Sequence, residues 1–363
     1  MSVPTKRKKI TSSAYFIGVN NDKIISFGSG QPDLPPPKEI FKNVSSTRLF
    51  RYGLIKGEIE LREALAQQYP KARAEDFVIT NGASEALDLT FRAIYQMYGK
   101  VKVLLCRPYY YSYPPIVQFA GLEPVYIDLK DGKIDINDFK KKIKGVKAVL
   151  INSPSNPTGR VEELATLRAI EKIAAKAGVY VISDEVYKDL IYERENYLIK
   201  GERVITINSF SKTYSMCGLR VGYLFTRDTR IVEGVVDIKV HTSMNTNVLA
   251  QEMALRATKV PRSFIVRQTA IWKQRRDYIY GALLEMGFSL SKPEGAFYVL
   301  PKIKNAARVV EDLYYDHDVI VYDGAWFGAP GRIRLSYALE LPKIKEGLAR
   351  IAKYLEGKES WLE

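Results

Sequence analysis

Short apolar runs alternate with amphipathic stretches along most of the chain. Residues 77–80, 101–106, 123–129, 147–152, 179–183 and 205–210 are each a few residues long and dominated by valine, isoleucine and leucine. Such runs are too short for helices and too continuously apolar for strands with one wet face, so they read as strands buried in a largely parallel sheet. Between them the period changes. Leu87, Phe91, Ile94 and Tyr98 fall on one helical face, as do Leu164, Leu167, Ile170, Ala174 and Ala177 within 162–177. Glu162 and Glu163 suit the start of that second helix and Gly178 its end. Residues 220–225 supply a seventh strand. Three long helical stretches, 231–240, 247–258 and 267–287, then lead to a second group of short strands around 295–299 and 331–338. This order predicts an α/β fold: a three-layer αβα large domain with a mostly parallel seven-stranded sheet, plus a smaller α+β domain made from both termini. The expected boundaries are an N-terminal arm at 1–40, a large domain at 41–245 and a small C-terminal domain at 246–363.

Polar chemistry gathers where these strands end. The strand at 205–210 runs into SFSKTYSMCGLRVG, residues 209–222. A lysine leaving the carboxyl end of a parallel strand points into the crevice where open α/β sheets bind ligands. Ser209 and Ser211 flank Lys212, and Arg220 follows eight positions later, so hydroxyls and a planar cation can converge on one phosphate. An anion socket beside an amine suits an imine between Lys212 and the aldehyde of pyridoxal 5'-phosphate (PLP), with the serines and Arg220 on its phosphate. The strand at 77–80 passes into Gly82, Ala83 and Ser84 and a helix start, which brings free backbone N–H groups and a positive dipole end to one point. At another strand end, Asp184 can hold a protonated pyridine nitrogen by a charge-assisted hydrogen bond.

The lysine stretch resembles the cofactor-lysine motif of the class I/II aminotransferases, which are fold type I PLP enzymes. The resemblance runs from about residue 28 to residue 338. It implies that Gly30, in the Gly-Gln-Pro-Asp turn, touches the substrate carboxylate, and that Tyr52 reaches the cofactor phosphate of a neighbouring subunit in a homodimer. It implies a ring stacked on the cofactor at Tyr110, with Tyr109 and Tyr111 as alternatives in the same tyrosine run. Asn156, in an Asn-Pro-Thr-Gly turn that can carry a cis bond, and Tyr187 would both bond the phenolate oxygen of the cofactor. Arg334 matches the arginine that clamps the substrate carboxylate, with Arg332 as its nearby competitor. The activity implied is amino transfer between an L-amino acid and a 2-oxo acid, with Lys212 as nucleophile and general base. The position that holds a lysine in some aspartate-using relatives is Ser84 here. That tilts one substrate toward an aromatic or uncharged amino acid, with glutamate and 2-oxoglutarate as the other pair. A lyase, decarboxylase or synthase on the same scaffold would share every cofactor residue.

Composition removes other classes. The formal net charge is +14, yet the basic residues are dispersed. Only residues 6–9 form a dense run, and no nucleic-acid-binding motif accompanies them, so the excess reads as solvated surface. No run approaches the roughly 18 apolar residues of a membrane span, and the N-terminal segment lacks the apolar core of a signal peptide. Two cysteines far apart, Cys106 and Cys217, imply neither a disulfide framework nor a metal site, and make a reducing cytoplasm the default expectation. The two histidines, His241 and His317, have no partner motif and read as packing or surface.

Overall fold

The computed structural model of the protein describes residues 7–19, 21–42, 51–130 and 132–362. In chain order its strands and helices are β1 (Ile25–Ser26), α1 (Ile59–Ala66), β2 (Phe77–Thr80), α2 (Gly82–Tyr98), β3 (Lys102–Arg107), α3 (Tyr113–Phe119), β4 (Glu123–Asp128), α4 (Ile136–Lys142) and β5 (Ala148–Asn152). They continue with α5 (Leu164–Ala177), β6 (Tyr180–Asp184), β7 (Val204–Ser209), α6 (Phe210–Thr213), β8 (Gly222–Phe225), α7 (Thr229–His241), α8 (Val248–Thr258) and α9 (Arg262–Glu285). The last are β9 (Tyr298–Val299), α10 (Ala306–His317), β10 (Val319–Ile320), β11 (Tyr322–Asp323), β12 (Ile333–Ser336) and α11 (Leu341–Leu355).

The seven-stranded sheet has the order β2-β8-β7-β6-β5-β3-β4. All neighbours are parallel except β8, which is antiparallel to both β2 and β7. Its central strands are covered on both sides, which is why they read as unbroken apolar runs. Leu87, Phe91 and Ile94 of α2, Val117 of α3 and Val235 of α7 pack on one face. Phe139 of α4 and Leu167, Ile170 and Ala174 of α5 pack on the other. A further core joins α1 and α8 to β2 and β8 through Leu61, Leu65, Met253, Phe77 and Tyr223.

The helix expected over 162–177 starts two residues later. Glu162 is buried, bonding Arg160 Nε through Oε1 at 3.2 Å while its own N–H donates to Ser153 Oγ at 2.9 Å. Gly178 ends the helix in the left-handed region at φ 66°, the cap conformation glycine adopts without steric cost. The apolar face is narrower than its periodicity suggests, because Leu164 and Ala177 at its two ends are exposed.

The remaining strands form two small sheets, β11-β12-β9 and the parallel pair β1-β10. Segments near both termini thus meet: Ile25 pairs with Val319, and Phe27 O accepts from Ser336 N–H at 2.7 Å. Trp272 and Ile279 of α9, Leu313 of α10 and Ile351 of α11 close the core over these strands. Among the described residues no helix is long and apolar enough to cross a membrane.

Candidate active site

One cavity of about 340 Å³ opens where β5, β6 and β7 end, roofed by residues from β9 and β12. The walls follow from the sheet. Ser209 closes β7 and its side chain accepts the Ser211 N–H at 3.3 Å, which caps the single turn of α6 and turns Lys212 inward. The Lys212 amine donates to Gly30 O at 2.7 Å. Burial lowers the pKa of this amine, and the Arg220 and Arg334 charges lower it further. The base form is therefore favoured relative to an ordinary lysine.

Asp184, the last residue of β6, is buried in the cavity wall. Tyr113 Oη donates to its Oδ2 at 2.7 Å and the Val186 N–H to its Oδ1 at 3.2 Å. Desolvation wins over both bonds and over the Lys212 charge, and pushes the carboxyl up to about 6. A carboxylate held this way lacks a full counter-charge, so a cationic nitrogen placed beside it would be strongly favoured.

The mouth of the cavity gathers groups of the kind that can hold an anion. Helix α2 begins at Gly82 with no side-chain cap from Asn81, which leaves the first-turn N–H groups available. Ala83, Ser84, Ser209, Ser211 and Arg220 line this end. Gly82 has φ +75°, and a Cβ there would lie 2.5 Å from Arg220 Nη2, so glycine is what lets the guanidinium lie over the helix start. A Cβ on Gly222 would lie 2.6 to 2.8 Å from Gly82 C, Ala83 N and Asn208 O. Close approach of β8 to α2 thus requires glycine on both sides. Arg220 itself adopts φ 55° and is steadied by Cys217 O at 2.9 Å.

Opposite this mouth, Arg334 on β12 is 2% exposed. Its Nη1 donates to Asn156 Oδ1 at 3.0 Å and its Nη2 to Gly28 O, while its Nε is buried with no partner. The rings of Tyr298, Tyr322 and Phe327 surround the guanidinium at 4.6 to 4.8 Å. With the Asn156 oxygen occupied, its amide hydrogens are the donors left for the cavity. The peptide bond between Asn156 and Pro157 is cis. Tyr187 Oη lies 2.7 Å from Tyr298 Oη.

Of the residues named from sequence, Gly30, Ala83, Ser84, Tyr110, Asn156, Asp184, Tyr187, Ser209, Ser211, Lys212, Arg220 and Arg334 all line this cavity, and Gly82 abuts it through Arg220. Of the tyrosine alternatives, Tyr110 and Tyr111 line it, whereas Tyr109 packs tilted against Tyr126 with ring centroids 5.6 Å apart. Of the two arginines, Arg332 faces a different cleft. Tyr52 is 83% exposed and lies outside its own chain's cavity. Sequence reasoning missed Tyr113, Tyr298 and Tyr322, which lie on the cavity wall, and Asn152, whose side chain donates to Asp184 O at 3.1 Å and accepts the Asn156 N–H at 2.9 Å. Asn152 was findable as a polar residue closing an apolar strand. Nothing local distinguishes Tyr113 within its tyrosine run.

The residues present fit PLP: an amine withdrawn from water, an uncompensated carboxylate within the wall, and an anion cradle at a helix start. The fold and cavity define a PLP-dependent enzyme of fold type I. The sequence profile of the family Aminotransferase class I and II matches residues 22–351. The chain belongs to that family, and it is a PLP-dependent aminotransferase. It is 34% identical to the "Probable aspartate/prephenate aminotransferase" of Aquifex aeolicus, over 97% of this chain and 96% of that protein. It is 32% identical to the aspartate aminotransferase of Thermotoga maritima, over 98% and 97% respectively. Among solved structures, the aromatic aminotransferase of Pyrococcus horikoshii superposes with a TM-score of 0.88 at 30% identity, covering 95% of this chain and 99% of that one.

Proposed function

We propose that this aminotransferase exchanges the amino group of an aromatic or otherwise uncharged L-amino acid with the glutamate and 2-oxoglutarate pair. The observation that carries this reading is the inventory of charge around the cavity. Among the described residues its lining lysines and arginines are Lys212, Arg220 and Arg334, and in this reading all three are engaged, as proton carrier, phosphate anchor and α-carboxylate clamp respectively. Besides Asp184 and neutral residues such as Gln31 and Asn152, the remaining described lining is rich in tyrosine, at 110, 111, 113, 187, 298 and 322. Aromatic edges and hydroxyls accommodate a flat or neutral side chain, and the hydroxyls can donate to the distal carboxylate of 2-oxoglutarate.

When bound, PLP supplies an aldehyde carbon that captures the amino group and a ring that takes up the electron pair left as the α-hydrogen departs as a proton. Asp184 would hold the ring nitrogen, while Asn156 and Tyr187 would donate to the ring oxygen. Ser84, Ser209, Ser211, Arg220 and the α2 N–H groups from Gly82 to Ser84 would hold the phosphate, and Tyr110 would cover the ring face. Lys212 Nζ, favoured as the free amine, would take the α-proton and deliver it elsewhere. Arg334 would orient the substrate through its α-carboxylate, using the unpartnered Nε edge, with Gly30 and Asn156 beside it. Arg334→Gln is expected to raise KM for amino acid and oxo acid alike by about 10- to 100-fold, the worth of a charged hydrogen-bonded pair. Steady-state kinetics with both substrates checks this, and an unchanged KM for either would remove Arg334 from substrate binding.

The names of the relatives favour a second reading, with aspartate as donor. That reading asks the same tyrosine hydroxyls to hold the distal carboxylate of aspartate on a shorter side chain, with no further cation among the described lining residues. A panel of L-amino acids with 2-oxoglutarate, read as oxo-acid formation, separates the two. Highest kcat/KM with phenylalanine, tyrosine or a neutral residue is the expected result, and strong activity on aspartate alone overturns it.

The exposure of Tyr52 outside its own cavity is compatible with a homodimer in which it reaches the neighbour's phosphate. Free Cys106 and Cys217 accord with a cytoplasmic setting. Sedimentation of the active enzyme as a monomer would refute the dimer. We also take the division into an arm at 1–40, a large domain at 41–245 and a small domain at 246–363 as a proposal, which limited proteolysis can test.

A further inference from the structure

A second cleft, of about 630 Å³, lies behind the catalytic cavity between the β3–β4 edge of the large sheet and the β9–β12 part of the small one. The two share walls. The turn after β5 presents Asn156 to the cavity and Thr158 to the cleft, the chain entering β12 presents Arg334 to one and Arg332 to the other, and the loop after β3 divides Tyr110 from Pro108 in the same way.

The cleft is strongly cationic. Among the described residues Arg107, Arg160, Lys292, Lys302 and Arg332 line it, against the carboxylates of Asp128 and Glu294. Both carboxylates are already engaged. Asp128 Oδ2 accepts from Arg107 Nη2 at 2.9 Å and its Oδ1 makes an ion-pair contact with Nε at 2.7 Å, and Glu294 pairs with Arg194 and accepts the Val161 N–H at 3.1 Å. Arg160 is tied to Glu162 at 3.2 Å and Lys292 to Glu193 at 3.3 Å.

Arg332 and Lys302 differ from these. Among the described residues neither has a carboxylate partner, and the single side-chain bond of Arg332 is to Leu300 O at 3.1 Å. They are also directly opposite one another on an antiparallel bridge. Like charges at such a position repel. Arg332 is half-buried, and desolvation draws its pKa below the usual arginine value. A partly desolvated guanidinium facing another cation across a bridge is unfavourable unless something negative lies between them. The hydroxyls of Thr158, Ser289 and Ser291 add donors around the same space.

We infer that this cleft is a binding site for a small multiply charged anion bearing carboxylate or phosphate groups, held between Lys302 and Arg332 with Arg160 nearby. The guanidinium fork suits either group, and the free volume accommodates a molecule with several of them.

The test uses the cofactor-loaded full chain, titrated in a calorimeter with citrate in one arm and inorganic pyrophosphate in the other. Two variants, Lys302→Glu and Arg332→Gln, are run beside the wild type, with the cofactor absorbance spectrum as the check that each is folded. One saturable site for at least one anion is expected, weakened about tenfold or more in Lys302→Glu and Arg332→Gln. The preferred arm identifies the group as carboxylate or phosphate. Lys302 is exposed, so its variant decides the matter even if Arg332→Gln is unstable. Absence of saturable binding of both anions overturns the proposal. So does binding that Lys302→Glu weakens less than tenfold, which would assign the anion to the catalytic cavity.

Discussion

The Lys212→Ala enzyme is expected to transaminate about 10²- to 10⁴-fold more slowly than wild type, the range over which a positioned acid-base group contributes. Among the described residues Lys212 is the single lysine lining the cavity, so no second amine of that lining stands ready to replace it. Its stability should change little, because the substitution removes one hydrogen bond, to Gly30 O, and at the same time removes an amine that burial disfavours as a cation. Lys212→Arg should not restore the rate. Arginine keeps the charge but stays protonated, so it cannot accept the α-proton. Rates from steady-state and single-turnover assays check this. Turnover within tenfold of wild type in Lys212→Ala would exclude Lys212 from the chemistry. Borohydride treatment of the cofactor-loaded wild type should leave its covalent label on the peptide that carries Lys212.

Asp184→Asn should lower kcat by about 10²- to 10³-fold, the usual consequence of removing one preorganised electrostatic partner from a water-excluded site. Asparagine keeps the shape and can still meet Tyr113 but carries no charge to favour a protonated ring nitrogen. The same residue predicts a pH dependence. In the free protein its pKa is raised to about 6, above the unfolded value near 3.9. The folded state therefore binds the extra proton between about pH 4 and 6, and this group's contribution to stability is greatest below that window and is lost as pH rises through it. A cation bound beside Asp184 reverses the penalty, because the ionised form then has a partner. Cofactor should accordingly raise the melting temperature more at pH 7.5 than at pH 5. The phosphate of the cofactor titrates in the same region, so the Asp184→Asn protein is the control in which the increment should be flatter. An increment equally steep in both proteins would assign the effect to the phosphate.

Much of this was legible in the chain because the signals are local. A strand buried on both faces has to be apolar throughout, and β2, β3, β5, β6 and β7 are recognisable on that ground alone to within a residue or two. A helix with one buried face repeats its apolar residues every three or four positions, as in α2 and α5. Asp184 and Lys212 stand out because each interrupts or follows an apolar strand at the end where ligands bind. Errors arose where local and distant demands diverged. Glu162, apparently suited to a helix start, turns inward to Arg160, and Leu164 and Ala177 continue an apolar stripe past the surface it packs on.

What the sequence by itself determined, then, is the set of buried strands and helices and the identity of the groups that end them, since both depend on solvation and backbone geometry within a few residues. Tertiary structure alone decided the strand order β2-β8-β7-β6-β5-β3-β4 with its one antiparallel member, the facing of Arg334 and Arg332 into separate cavities, and the recruitment of Tyr113, Tyr298 and Tyr322 to the wall. Those outcomes depend on pairings between segments tens to hundreds of residues apart, and an apolar strand presents the same face to any neighbour that can cover it.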